Sequence, residues 1–371
     1  LKYRPDIDSL RAVAVGAVVL SHLGIAGFSG GFSGVDIFFV ISGFLITNFL
    51  LQRASAGRIS LGEFYFRRAR RILPMALLVL AATCIAAYVL FSQLKAVQVA
   101  TDSYWAALFL ANLHLIQQST DYFTHGFDQS AVRHYWSLAV EEQFYLVFPL
   151  LVIGIVSLAR KFGVSNWPRM LTWVIAGGAA LSLTWAIWQG STEPATAYFS
   201  SATRAHELAI GALLAILTFE RQTTSGGNRS SIAAFAAVAA LAISFVALND
   251  SLSFPSYLAL LPTIGAAAFI WADLASNKVP ILSRLFNSKA MVYLGKISFS
   301  IYLVHWPLII FSQALLPDLA KSWMFAPAII AATLALSALG YRFIEQPIRR
   351  IELPKARPTL NSDSCWLGPQ R

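Results

Sequence analysis

From Met75 to Phe91 the chain reads MALLVLAATCIAAYVLF, and from Ser231 to Leu248 it reads SIAAFAAVAALAISFVAL. Neither stretch holds a charged residue. A helix on the surface of a water-soluble protein keeps a polar face, and these two have none. About 20 apolar residues carry a helix across roughly 30 Å of hydrocarbon, and blocks of this kind recur along the chain. The 371 residues are 57% hydrophobic and 12% charged, against about a quarter charged in a typical soluble domain. The expected fold class is therefore all-α, a polytopic transmembrane helix bundle. The missing polar faces exclude a large soluble helical protein.

Working outward, ten candidate spans fall at about 10–28, 34–52, 72–92, 140–158, 170–189, 205–219, 231–248, 257–275, 291–312 and 323–345. An eleventh apolar stretch, 98–118, carries Asp102, Asn112, His114 and glutamines, which is polar for a span. Lys and Arg collect on the cytoplasmic side of membrane proteins. Ten spans with a cytoplasmic N-terminus put 24 of the 28 Lys and Arg on that side, and an eleventh crossing leaves only 12 there. The 98–118 stretch is thus read as an extracytoplasmic interfacial or re-entrant segment, with both termini in the cytoplasm. The net charge of +10 belongs to the inner loops rather than to a nucleic-acid surface. Cys84 and Cys365 make no disulfide framework and no metal set. The first apolar block contains His22, lacks a small-residue cleavage site and runs straight into another block, so it is not read as a removable signal.

The long excursion 93–139 holds Trp105, Tyr122, His125, Asp128, His134 and Trp136. Aromatics with acids suit a sugar-facing surface, and equally an interfacial belt. Ionisable groups inside a bilayer are costly and mark pathways or sites. Arg11 and His22 are eleven positions apart. At about 100° per residue they share one stripe of a helix, about 16 Å apart along its axis. An anion-binding group and a proton acceptor thus stand at opposite ends of one line, as a snorkelling Arg and a buried structural His also would. Arg67, Arg68, Arg70 and Arg71 cluster before Pro74. They either set topology or hold phosphates through charge-assisted bonds, aided by a helix start at Pro74. Ser137, Glu141 and Tyr145 share one helical face with Glu142 beside them, suited to orienting or deprotonating a hydroxyl. Ser298, Tyr302 and His305 form another polar stripe, with His305 at about the depth of His22. Arg204 and Glu207 read as an ion pair, Asp36 as a helix cap, and Glu345 as a local partner of Arg342. Nucleotide-loop, dinucleotide, zinc-protease and serine-hydrolase motifs are absent, so any chemistry must use intramembrane residues.

Seven segments carry a resemblance: YRPDIDSLRAVAVGAVVLSHL (3–23), GGFSGVDIFFVISGFLIT (30–47), FRRARRILP (66–74), HYWSLAVEEQFYLVFPLL (134–151), TRAHELAIGALLA (203–215), ISFSIYLVHWPLI (297–309) and YRFIEQPIR (341–349). In this order they resemble the membrane acyltransferase 3 family, in its O-antigen and peptidoglycan O-acetyltransferase branch. The resemblance implies a ten-span domain over 1–350 in a bacterial inner membrane. Such a domain takes acetyl from cytoplasmic acetyl-CoA as cosubstrate, with no metal, and delivers it to a hydroxyl of a cell-envelope polysaccharide. It puts donor binding on Arg11, Arg68 and Arg71. Catalysis falls on His22, as general base or transient acetyl acceptor, with Glu141 or Glu142 orienting the imidazole or the acceptor. Weaker substrate or channel roles fall on Asp36, Trp136, Ser137, Tyr302 and His305. Branch members often continue into a further span and an SGNH esterase-type domain. The tail 351–371 matches nothing there, so the chain is read as truncated or as working with a separate partner. Intramembrane His, Glu and Arg also suit a proton-coupled transporter, and a membrane anchor for a missing catalytic domain is the third reading.

Overall fold

The computed structural model describes residues 3–56, 60–118, 122, 129–164, 166–220, 229–249, 251–273 and 279–351. His125, Asp128, Cys365 and the tail beyond 351 lie outside the described residues. Among the described residues the chain is helices and connecting turns, with no strand.

The first helix, α1 (Pro5–His22), starts on a proline at its first position with Asp6 and Asp8 in the first turn, both suited to a helix N-terminus. A short 3-10 turn leads into α2 (Gly34–Ser55). Then come α3 (Leu61–Leu90), α4 (Gln93–Ala107), α5 (Ala111–Gln117), α6 (Tyr135–Lys161), α7 (Trp167–Thr192), α8 (Pro194–Phe199), α9 (Ser201–Glu220) and α10 (Arg229–Ala247). The last set is α11 (Leu260–Ala272), α12 (Pro280–Phe286), α13 (Lys289–Leu315), α14 (Pro317–Ala320) and α15 (Phe325–Gly340). A π-helical turn at Tyr341–Glu345 joins α15 to α16 (Gln346–Arg349).

Seven helical segments among the described residues are long and apolar enough to cross a membrane, and α10 and α11 are shorter apolar helices. With α1, whose Asp6, Asp8 and Arg11 lower its hydropathy, these correspond one for one to the ten expected spans. Leu77, Ile85, Tyr88, Val147, Trp173 and Leu181 are exposed on the outside of the bundle. So broad an apolar surface belongs in lipid, and the chain is a multi-pass membrane protein.

The order of α1, α2 and α13 fixes the site. Gly31 and Gly34 press on the backbone of Ala17 and Ala14, so α2 runs antiparallel to α1. Gly295 presses on Asp8 while His305 meets His22, so α13 runs parallel to α1. The end of the bundle at which α1 begins is termed the near end, and the other the far end.

One expectation changes here, and one gains detail. The arginine cluster does not stand at a helix start. α3 begins at Leu61, capped by Ser60, whose side chain accepts from the Glu63 backbone N–H at 3.3 Å. This Ser-x-x-Glu capping signature moves the start upstream, and Pro74 lies inside the helix. Arg67 to Arg71 therefore have no N-terminal dipole beside them. The 98–118 stretch divides into α4 and α5, and α4 spans only about 22 Å at 1.5 Å per residue. The two form a hairpin that enters from the far end and returns. Its tip turns at Phe109, in the left-handed region at φ 56°. Gln143 of α6 holds that tip, donating to the Phe109 carbonyl (3.0 Å) and to Asn112 (2.9 Å).

Candidate active site

His22 ends α1, and His305 lies in the middle of α13. Their rings stack, with centroids 5.2 Å apart and planes 6° apart. His305 is fully buried and His22 half-buried. The hydrogen bonds fix the tautomers of the neutral pair. His305 Nδ1–H donates to the Ile301 carbonyl at 3.1 Å, which leaves its Nε2 bare. His22 Nδ1–H donates to that Nε2 at 2.9 Å. The remaining nitrogen, His22 Nε2, accepts from the Tyr122 hydroxyl at 2.8 Å. Burial holds the Tyr122 phenol above its ordinary pKa, so that group stays a donor. The bare Nε2 thus faces Tyr122 and the far end. Trp306 packs against His22 with ring centroids 4.6 Å apart, and the Arg133 guanidinium lies over both Tyr122 (4.8 Å) and Trp306 (4.7 Å).

On the near side of this pair a cavity opens between α1, α2, α3, α6 and α13. Arg11, Arg71, Glu141, Ser137, Ser298 and Tyr302 are among its walls, with Phe38, Phe39 and Ile41. Ser42 donates to Glu141 at 2.7 Å. The cavity closes at Tyr302, whose hydroxyl is 2.6 Å from Ser137 Oγ and donates to the His134 carbonyl at 2.8 Å. Ser298 is fully buried, with a hydroxyl that has no partner among the described residues. A second cavity, at the near end, shares Arg11, Leu45 and Arg71 with the first and is also lined by Lys296, Arg349 and Arg350. A third lies on the flank of the bundle, between α3, α6 and the hairpin tip, where Glu142 and Arg68 meet lipid-facing Leu108 and Leu146.

The expected site residues therefore divide. Arg11, Arg71, Ser137, Glu141 and Tyr302 share one cavity, while His22 and His305 meet one helical turn beyond its closed end. His22 does not line that cavity, although it shares a stripe of α1 with Arg11, which does. Arg68 borders it, but its guanidinium stacks 3.7 Å from the Tyr145 ring centre and faces the flank cavity as well. Neither Glu141 nor Glu142 orients the imidazole. Two helical turns of α6 separate Glu141 from His134, beside His305, and Glu142 points to the flank. His305 and Tyr122 hold the ring instead.

Asp36 does not cap α2. Its buried carboxylate pairs with Arg204 at 2.8 Å, and Arg204 also holds Glu207 at 3.0 Å, so the expected Arg204–Glu207 pair gains a third member. Trp136 packs on Arg204 (5.3 Å) and Tyr198 (5.0 Å), and neither Asp36 nor Trp136 lines the cavities. Glu345 faces inward and takes the Ser300 hydroxyl rather than pairing with Arg342. Lys296, Arg349 and Arg350 do not stand out as site residues in the sequence, and Tyr122 does so only as one aromatic of the 93–139 excursion. Tyr122 sits in a loop with no periodicity to read, and the three cations read as topology-setting charge.

The sequence model described as an acyltransferase domain, Acyl_transf_3, matches residues 4–342. Peptidoglycan O-acetyltransferase OatA of Listeria monocytogenes is 31% identical over 359 residues, covering 94% of this chain and 56% of the relative. O-acetyltransferase OatA of Staphylococcus aureus is 31% identical over 359 residues, covering 94% and 58%. The chain spans a little over half the length of these relatives. No solved structure matches it.

Proposed function

The chain belongs to the acyltransferase family whose domain model spans residues 4–342, and from that premise we propose that it is an O-acetyltransferase working across a bacterial inner membrane. The near end is cytoplasmic, with both ends of the chain on that side. The donor is acetyl-CoA, and the acceptor is a hydroxyl of a cell-envelope polysaccharide. Peptidoglycan is the acceptor named for the Listeria relative, and O-antigen is the other acceptor of the same chemistry.

One observation carries this reading. A cavity reached from the near end, with Arg11, Arg71 and Glu141 in its otherwise mostly apolar wall, and a bare imidazole nitrogen facing the far end stand on opposite sides of one tyrosine, Tyr302. The donor's slim arm enters from the near end along Arg11 and Arg71, with its thioester towards Ser137, Ser298 and Tyr302. The unpartnered Ser298 hydroxyl is a ready donor to a carbonyl there. At the far end, the acceptor hydroxyl takes the place of the Tyr122 hydroxyl as donor to His22 Nε2. His22 then removes that proton as the oxygen attacks the acetyl carbon. The C–S bond breaks, the new ester leaves at the far end, and the proton taken by His22 passes to the thiolate, which leaves as CoA thiol with the imidazole neutral again. His305 keeps His22 in the tautomer with Nε2 bare, a role usually given to a carboxylate.

The test is transfer in sealed vesicles, with radiolabelled acetyl-CoA on the near side and a saccharide acceptor on the far side. Wild-type protein is expected to deliver label to the acceptor, and His22→Ala to lower the rate on the order of 100-fold or more with unchanged yield of folded protein. Full transfer by the His22→Ala protein would remove His22 from the chemistry.

A further inference from the structure

The near-end cavity gathers Arg11, Arg71, Lys296, Arg349 and Arg350 from four separate helical segments and the residue after α16. Positive charge at this end of a membrane protein ordinarily sets topology, and what sets these five cations apart is that one cavity gathers them. Arg53 and Arg67 are neutralised on Glu63, and Arg4 on Asp6 and Asp273. Arg71, Lys296, Arg349 and Arg350 make no ion pair among the described residues. The one acid lining the cavity, Asp8, already accepts from the Tyr3 hydroxyl at 2.7 Å and faces Arg11 at 3.8 Å. Glu345, on the π-helical turn just before α16, takes the Ser300 hydroxyl and lies within electrostatic reach of Arg349, Arg71 and Arg11. Five cations against these two acids leave the cavity net positive. It is also joined to the acyl cavity through Arg11, Leu45 and Arg71.

We propose that this cavity is the phosphate subsite for the donor. Lys296, Arg349 and Arg350, with Arg11 and Arg71, grip the phosphorylated nucleotide end of the coenzyme A thioester, and Arg68 takes no part. The inference rests on the acetyl-CoA reading and deepens it. A ligand with several phosphates at one end and a thin neutral arm at the other matches the joined pair of cavities. Guanidinium groups suit phosphate oxygens because they offer paired donors. Arg68 stacks on Tyr145 between the acyl and flank cavities and does not line this one.

The experiment uses the chain in lipid nanodiscs, with acetyl-CoA and acetyl-pantetheine as alternative donors. Lys296→Gln and the pair Arg349→Gln with Arg350→Gln are each expected to raise KM for acetyl-CoA about tenfold or more, the scale of a lost charge-assisted bond. Their kcat, and their KM for acetyl-pantetheine, stay at wild-type values, which also reports an intact fold. Arg342→Gln removes a charge from the neighbouring π-helical turn Tyr341–Glu345, outside the cavity, and leaves KM unchanged. An unchanged KM for acetyl-CoA, an equal rise for both donors, or an equal effect of Arg342→Gln overturns the subsite. If the wild-type protein uses neither donor, the acetyl-transfer reading falls and takes the subsite with it. If the wild type uses acetyl-CoA and the variants match it, the subsite alone falls.

Discussion

His22 and His305 are 283 positions apart in the chain and 2.9 Å apart in space. Their similar depth was legible from sequence, because each could be counted along its own helix. Their contact was not, because it depends on α13 lying against α1 through Gly295, where an added methyl would strike the backbone of Asp8. The same limit hid the true partner of the imidazole. A neighbouring carboxylate is the usual expectation, and Glu141 was the nearest one in the motif, yet it bonds to Ser42 instead. If His305 fixes the tautomer of His22, its hydrogen-bond acceptor is the atom that matters. His305→Leu is then expected to lower kcat on the order of 100-fold while leaving KM for acetyl-CoA near the wild-type value. His305→Gln keeps an acceptor for His22 Nδ1–H and a donor for the Ile301 carbonyl, so it should recover much of that loss. Steady-state kinetics on the two variants decide it: a Leu variant with wild-type kcat leaves His305 without a positioning role.

At the scale of elements, the apolar blocks located the spans, because crossing a bilayer leaves a helix little compositional choice. Charge counting kept α4 and α5 from being read as a crossing. What the pattern could not supply was the start of α3, since the proline at 74 outweighed the capping serine at 60. Nor did it reveal the π-helical turn at Tyr341–Glu345, which has no compositional mark. Close packing between α2 and α9 was likewise invisible in either helix alone. Gly43 of α2 lies against the Leu208 backbone, and Gly211 of α9 against the Val40 backbone. Small residues let membrane helices approach this closely. The contact matters to the site because α2 carries Ser42 and Phe38 into the acyl cavity, while α9 holds Asp36 through Arg204. Gly211→Val must push the helices apart, with an overpacking cost of about 1–3 kcal/mol. Thermal unfolding in detergent should show a lower midpoint, with acetyl transfer lost alongside it. A midpoint equal to wild type would mean that α2 and α9 have slack the close approach denies.

For the molecule as a whole, the arrangement poses a transport problem as much as a chemical one. A pore open from the near end to His22 would let water reach the thioester and let ions cross the bilayer. The two sides are instead divided at Tyr302, held between Ser137 and the His134 carbonyl. The ring sits about one turn before His305 on α13, with ring centroids 5.6 Å apart, and it lines the acyl cavity on its other side. Two hydrogen bonds latch it, each with a net worth of about 1 kcal/mol, so the closed position is favoured without being locked. No pattern in the sequence announces such a barrier: Tyr302 reads only as one member of a polar stripe, and its function comes from what five packed helices leave empty beneath it. Removing the ring should uncouple the reaction. Tyr302→Ala is expected to hydrolyse acetyl-CoA in the absence of any acceptor, at a rate several-fold or more above wild type, with His22→Ala in the same chain suppressing the excess. Tyr302→Phe keeps the ring, loses the latch, and should fall between the two. Thiol release from acetyl-CoA, followed without acceptor, measures all four proteins. If Tyr302→Ala releases thiol no faster than wild type, the tyrosine is not what separates donor from base, and some other part of the bundle must keep the two sides apart.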